Sequence, residues 1–184
     1  MKRIIFILFI ITFTACEWEA SSNQANLGLA KKLSEEEVIN NTMNDFIGDP
    51  KSQAEKDRNI ILNHIIDHQL DMQSTEDGIY YQIIRVGTGN RPTLEDVIAT
   101  NYRGTFLDGK VFDSKMDRAK PFTYPLRRMN DGWKKALPLM KAGSKGLFII
   151  PSELCYGAEG FGDLIPPNAI LKFEIELLGI KARE

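Results

Sequence analysis

The sequence predicts an α+β fold in which an antiparallel β-sheet folds around one short α-helix, with two short leader helices ahead of it. Three observations predict this. Near the C-terminus Leu171, Phe173, Ile175 and Leu177 alternate with Lys172, Glu174 and Glu176, the pattern of a strand with one wet face. Earlier apolar runs are separated by turn residues, Gly87-Thr88-Gly89-Asn90 and then Asp108-Gly109, the dipeptide suited to a tight hairpin. Upstream of Gly78 the apolar residues recur instead at helical spacing.

In chain order, Lys2 and Arg3 precede an apolar run over residues 4–13, broken only by Thr12, and then come Thr14, Ala15 and Cys16. A basic start followed by an apolar stretch too short to span a bilayer comfortably is a signal-peptide pattern over residues 1–15. The cysteine directly after a small residue resembles the lipobox of bacterial lipoproteins, with Phe13 where that motif usually carries Leu. Cys16 is therefore expected to bear lipid, and polar residues 16–32 to form a tether. A helical leader is expected over 33–75. Ser34 and Glu37 form a capping box, Val38, Ile39, Met43, Phe46 and Ile47 give a stripe, and Gly48-Asp49-Pro50 ends it. A second helix is expected over 52–72, with Ile61, Leu62, Ile65, Ile66 and Leu70 on one face.

The main domain is expected over 76–184, with strand regions at 79–86, 97–107, 144–151 and 169–180. Its one helix starts at Gly132, carries Trp133, Ala136, Leu137 and Met140 on one side, and ends near Gly143. Pro138 should bend or shorten it.

Composition narrows the function. At 184 residues the chain holds one ordinary domain and a modest extra, and 43% hydrophobic with 26% charged residues is a globular balance. With 23 basic against 25 acidic residues there is no positive excess for a polyanion, which argues against nucleic acid. Losing Lys2 and Arg3 with residues 1–15 leaves 21 basic against 25 acidic, about −4, so attraction to anionic lipid would not hold the chain at a membrane. Cys155 is the only other cysteine, so acylation of Cys16 leaves no intramolecular disulfide. A thiol nucleophile at Cys155 has no evident base, because His64 and His68 both fall in the leader. Those two histidines sit four apart on a helix but lack an obvious third ligand, so no metal or other cofactor is expected. Gly87-Thr88-Gly89 reads as a turn with no helix after it, not a phosphate loop.

Three blocks in residues 79–184 resemble the FKBP family in order and spacing. They are Tyr102-Arg103-Gly104 with Asp108-Gly109-Lys110-Val111-Phe112-Asp113-Ser114, Arg118 and Pro121-Phe122; Gly132-Trp133 with Leu139-Met140-Lys141-Ala142-Gly143; and Ile150-Pro151 through Tyr156-Gly157 with Ile165-Pro166-Pro167, closed by Phe173 to Leu177. The resemblance implies an FKBP-like half-barrel and peptidyl-prolyl cis-trans isomerase activity. Rotation about an X-Pro bond breaks no covalent bond, yet its barrier is about 18–20 kcal/mol because amide resonance is lost. A dry aromatic pocket with a few placed dipoles lowers it by favouring the twisted amide over the planar one.

By the resemblance, Trp133 floors the proline pocket, with Tyr102, Phe112, Phe122, Ile165 and Phe173 as walls. Tyr156 donates to a substrate carbonyl, and Asp113 sets the polarity at the amide, oriented by Arg118 and the Tyr102 hydroxyl. Phe161 and Leu164 contact residues flanking the proline. Met129 and Asn130 depart from the family's small apolar pair before Gly-Trp, which alters the expected grip on substrate backbone, and Cys155 replaces a common Ala. Any one aromatic alone reads as core packing, and Asp113 with Arg118 could be a surface pair; the joint spacing favours the site.

The partners implied are X-Pro segments of exported proteins and macrolides of the FK506 and rapamycin type. The localisation implied is the cell envelope, lipid-anchored to the outer membrane on its periplasmic face or at the surface. A proline-recognising binding module in a motility or secretion assembly is the alternative from another class. A short leader and one domain on a lipoprotein also looks like the gliding-motility isomerases of the Bacteroidetes. The apolar stripe of the leader needs burial, either in a homodimer or on the chain's own sheet.

Overall fold

The computed structural model describes residues 34–116 and 120–181. The signal peptide, the whole of the tether with Cys16, and Arg118 lie outside the described residues.

Two leader helices come first. α1 (Glu35–Met43) opens on the expected capping box, with the Ser34 hydroxyl accepting from Glu37 N–H and the Glu37 carboxylate accepting from Ser34 N–H. It ends four residues before Ile47. α2 (Gln53–Asp67) carries a second capping box from Ser52 and Glu55. It stops five residues short of Met72, with Gln69 in the left-handed region at φ 51°.

Among the described residues seven strands form one antiparallel sheet: β1 (Gln73–Ser74), β2 (Tyr80–Arg85), β3 (Val97–Thr105), β4 (Val111–Ser114), β5 (Phe122–Pro125), β6 (Lys145–Ile150) and β7 (Leu171–Lys181). The order is β1-β2-β6-β7-β3-β4, and β5 also pairs with β3. β3 is the hub. β7 runs along one edge of it for its whole length, while β5 pairs with Val97–Thr100 and β4 with Arg103–Thr105 on the other. β1, β4 and β5 fall outside the strand regions predicted from sequence. β3 turns into β4 through a hairpin whose Gly109 has φ +88°, the conformation that the Asp108-Gly109 dipeptide supplies. The short helix α3 (Asp131–Ala136) ends about two turns before Gly143 and passes into a 3-10 turn over Leu137–Leu139, because Pro138 cannot donate the next hydrogen bond.

The pleat separates two cores. The inner face buries Ile79, Ile98, Phe148, Ile150, Leu171, Phe173, Ile175 and Leu177 against Trp133, Ala136 and Leu137 of α3 and its turn. The outer face carries Tyr80 and Ile149, which with Ile170 bury Val38, Ile61, Leu62 and Ile65 of the leader. The stripe of α2 is therefore covered by the chain's own sheet, with Ile61 and Leu62 at 0% and 1% exposure.

Candidate active site

The site is built on Trp133. Asn130 caps α3, its side-chain Oδ1 accepting the Trp133 N–H at 2.9 Å, and the indole is 2% exposed. Three rings stand nearly perpendicular to it. Tyr102 of β3 lies 5.1 Å away at 83°, Phe173 of β7 at 5.6 Å and 85°, and Phe122 of β5 at 6.5 Å and 78°. Edge-to-face packing of this kind matches the rings' positive edges to a negative face. Tyr102 also meets Phe122 edge-on at 5.5 Å, and Phe112 meets Phe173 at 5.7 Å and 89°. Ile165, 1% exposed, packs into the same core.

Strand pairing explains the convergence. On β3, Tyr102 is opposite Ile175, Gly104 opposite both Phe173 and Asp113, and Thr100 opposite Phe122. Gly104 is required by space, since a Cβ there would lie 2.5 Å from Phe112 Cζ. A side chain at 104 would push the Phe112 wall away.

The polar edge is formed by Tyr102 and Asp113. The Tyr102 hydroxyl donates to Asp113 Oδ2 at 2.5 Å, and Lys115 Nζ lies 3.5 Å from Asp113 Oδ1. The Arg118 expected from the resemblance to orient this carboxylate lies outside the described residues; among those described, the cation beside it is Lys115. The signal was available, because residues two apart along an extended chain share a face. The backbone keeps that geometry past the end of β4, with Lys115 N–H donating to the Tyr102 carbonyl at 2.8 Å.

Tyr156 is half-buried, its ring 5.2 Å from that of Phe161. Burial pushes its phenol above the ordinary tyrosine value, with Cys155 and the Asp113 carboxylate adding to the shift, so the hydroxyl stays protonated at neutral pH. Burial alone pushes the Cys155 thiol up to about 12, which leaves it un-ionised and a poor nucleophile. Phe161 and Leu164 are 57% and 49% exposed on the loop after Tyr156. Phe161 N–H and Ile165 N–H donate to each other's carbonyls, so the loop holds its shape while presenting apolar side chains. Beside it lies a groove of about 560 Å³ lined by Phe106, Asp108, Lys110, Leu164, Pro166 and Pro167.

Met129 is half-buried against the main core. Asn130 is adjacent, but its side-chain oxygen is committed to the helix cap, so the substitution that looked like an altered substrate clamp has a structural task. The asparagine before an acidic first turn is a helix-start signal in its own right. His64 of α2 and His68, which caps its C-terminus, lie 4.0 Å apart between ring centroids with planes tilted by 32°, on the outer side of the sheet. Among the described residues no group of three or more His, Cys, Asp or Glu side chains is placed to hold a metal ion.

Fold and site together define an FKBP-like α+β domain with an aromatic box beside a hydroxyl–carboxylate pair. The sequence model of the FKBP-type peptidyl-prolyl cis-trans isomerase family matches residues 89–178, which include every aromatic of the box. The FKBP-type peptidyl-prolyl cis-trans isomerase FkpA of Aeromonas hydrophila is 46% identical over 110 residues, 60% of this chain and 41% of that protein. A peptidyl-prolyl cis-trans isomerase of Pseudomonas syringae pv. tomato superposes with a TM-score of 0.60 at 32% identity, over 72% of this chain and 99% of that one. FkpA from Escherichia coli gives 0.59 at 27% identity over 82% of this chain and 83% of that one, a match long enough to reach the residues before 76. The chain belongs to the FKBP-type peptidyl-prolyl cis-trans isomerase family. It spans less than half the length of the Aeromonas relative.

Proposed function

We propose that the chain catalyses cis-trans isomerisation of X-Pro bonds in exported proteins. The observation that carries this is the box floored by Trp133 and walled by Tyr102, Phe122 and Phe173, with the Tyr102–Asp113 hydrogen bond at its edge. The proline ring enters the box over the indole, and Phe112 and Ile165 close its sides. Water that stabilises the planar, resonance-polarised amide is excluded, and the loss of that solvation weighs on the ground state. The Tyr156 hydroxyl holds a substrate carbonyl, and the Asp113 carboxylate, fixed by Tyr102 and flanked by Lys115, sets the field at the rotating bond. Arg118 is proposed to share that balance. Met129 lines the entrance, and Phe161, Leu164 and the groove beside them contact residues flanking the proline. No covalent intermediate is needed.

A protease-coupled assay on a short X-Pro peptide tests this. Wild-type rates no faster than the uncatalysed reaction would sink it, while Tyr156→Phe and Asp113→Ala should each lower kcat/KM. The relatives' names as isomerases support an enzyme over a binding module in a motility or secretion assembly. Macrolides of the FK506 and rapamycin type are proposed to fill the same box, read by quenching of Trp133 fluorescence.

The same proposal places the protein in the cell envelope, held to the outer membrane by lipid, palmitate included, on Cys16. Among the described residues no helix is long and apolar enough to cross a membrane. Labelling cells with an alkyne-bearing fatty acid should mark the wild type and not Cys16→Ser. The gliding-motility reading rests on the short leader and single domain behind Cys16, and loss of colony spreading on deletion tests it. Coverage of the α2 stripe by the chain's own sheet supports a monomer over a leader-mediated homodimer, which light scattering decides.

A further inference from the structure

We propose that Asp57, on α2 of the leader, is a positioning residue for the isomerase site: through Ser152 it fixes the stretch of backbone that presents Tyr156. This rests on the isomerase reading above.

Asp57 is fully buried, at 0% exposure. Its Oδ2 accepts the backbone N–H of Ser152 at 2.7 Å and the Ser152 hydroxyl at 2.6 Å, and its Oδ1 accepts from Gln53 Nε2 at 2.6 Å. Burying a carboxylate is costly unless its oxygens are hydrogen-bonded, and here both are. Adhesion of the leader does not require it. Ile61, Leu62 and Ile65 already bury the apolar face of α2 on Tyr80 and Ile149, and an apolar residue of similar size generally glues two elements at least as well as a buried charge. What a carboxylate adds is direction, since it holds one residue in one place.

That residue is close to the chemistry. Between Ile150, the last residue of β6, and Gly157 the chain runs outside the sheet ladder. Ser152 opens a 3-10 turn over Ser152–Leu154, and its carbonyl accepts the N–H of Cys155 at 2.9 Å. Tyr156 follows at once, with φ −121° and ψ 0°, and its own carbonyl accepts Gly160 N–H at 3.1 Å. Asp57 thus grips the start of a segment whose fourth residue beyond the anchor is the proposed hydroxyl donor. The leader is in this sense a support of the site, reached from the opposite face of the sheet.

The test is Asp57→Asn in the full chain, with Ser152→Ala as a milder variant that removes only the hydroxyl contact. Both are compared with wild type well below their melting midpoints. One readout is kcat/KM on an X-Pro peptide. The other is the ring-carbon NMR signal of Tyr156 in tyrosine-labelled protein, assigned by its loss in Tyr156→Phe. Positioning predicts a fall in kcat/KM of about tenfold for Asp57→Asn and a smaller fall for Ser152→Ala, since small misplacements of a reacting group are costly. It also predicts a moved Tyr156 signal with Tyr124 unmoved. A lower melting midpoint with wild-type kcat/KM and an unmoved signal overturns the proposal, because Asp57 then contributes stability alone. A fall in rate with an unmoved Tyr156 signal overturns it too. If Asp57→Asn does not fold, Ser152→Ala carries the same outcomes. If the wild type itself has no activity, the isomerase reading fails separately and the tyrosine signal decides the positioning claim.

Discussion

Tyr102→Phe isolates the polar edge of the site from its apolar box. The substitution removes one hydroxyl and keeps the ring, which stays 6% exposed between Trp133 and Phe122. The lost contact is the hydrogen bond to Asp113 Oδ2. A hydrogen bond to a charged acceptor contributes about 1.5–3 kcal/mol, but the Asp113 side chain is 38% exposed and water replaces part of the loss. About 1–2 kcal/mol of transition-state stabilisation should then go, which at 1.36 kcal/mol per decade is about five- to thirtyfold in kcat/KM. Lys115→Met is the internal control. Its Nζ is 3.5 Å from Asp113 Oδ1 and both groups are partly exposed, so its effect should be under about fivefold and should fade with added salt. The protease-coupled assay reads both, with melting midpoints confirming folded protein. Tyr102→Phe within twofold of wild type, or weaker than Lys115→Met, would refute the assignment of Asp113 as a held dipole.

His64 gives a pH prediction: burial first, then the charges of His68 and Lys172, lower its pKa from 6.5 to about 4, against a small opposing pull from Asp67. The unfolded chain therefore binds the proton more readily, so this residue's contribution is intact above about pH 6.5 and is lost as pH falls toward 4, by roughly 1–3 kcal/mol. Urea melts from pH 7 to 4 should show a shallower loss in His64→Leu, and parallel curves would contradict it. The Cys155 thiol, pushed up to about 12, should resist iodoacetamide in the native protein at pH 7 and react in denaturant, as mass spectrometry would reveal. Asn130→Ala should lower stability by about 1 kcal/mol through loss of the cap on Trp133 N–H, and Asn130→Asp should restore most of it. Leu62→Ala, at a site 1% exposed, should cost about 2–5 kcal/mol; circular dichroism of the helices and Trp133 fluorescence should still report one transition, and two separate melts would show that the leader folds apart from the sheet.

The elements that were legible in the sequence are those that carry their own period or punctuation. β7 spans enough residues for alternation to show, Ser34 and Glu37 mark a helix start, and Asp108-Gly109 and Pro138 act through their backbones. β1, β4 and β5 have two to four residues each, too few for a period, and exist because β2 and β3 offer them free edges. The box residues were found through family spacing, since no local rule brings Tyr102, Phe122, Trp133 and Phe173 together. At Asn130 the comparison with the usual apolar residue drew attention to the substrate clamp and left the helix cap unremarked. Asp57 was invisible for a different reason: in sequence it is one acidic residue on a polar helix face, and only the turn at Ser152, 95 positions away, gives it a partner.

The two faces of the sheet join the leader to the main domain through shared strands. On β2, Tyr80 points to the leader and Tyr81 toward the main core, as does Ile79 just before the strand; on β6, Ile149 points to the leader while Phe148 and Ile150 face the opposite way. Tyr80 pairs with Ile149, so one register sets both sides at once. A slip of one residue would put Phe148 under α2 and strip the inner core, so packing of the leader selects the same β2–β6 register that the inner core requires. Asp57 extends this from the strands to the turn after β6. The leader thus bears on the main domain by two routes: it packs on the paired strands β2 and β6, and, by the proposal above, it holds the start of the loop that carries Tyr156.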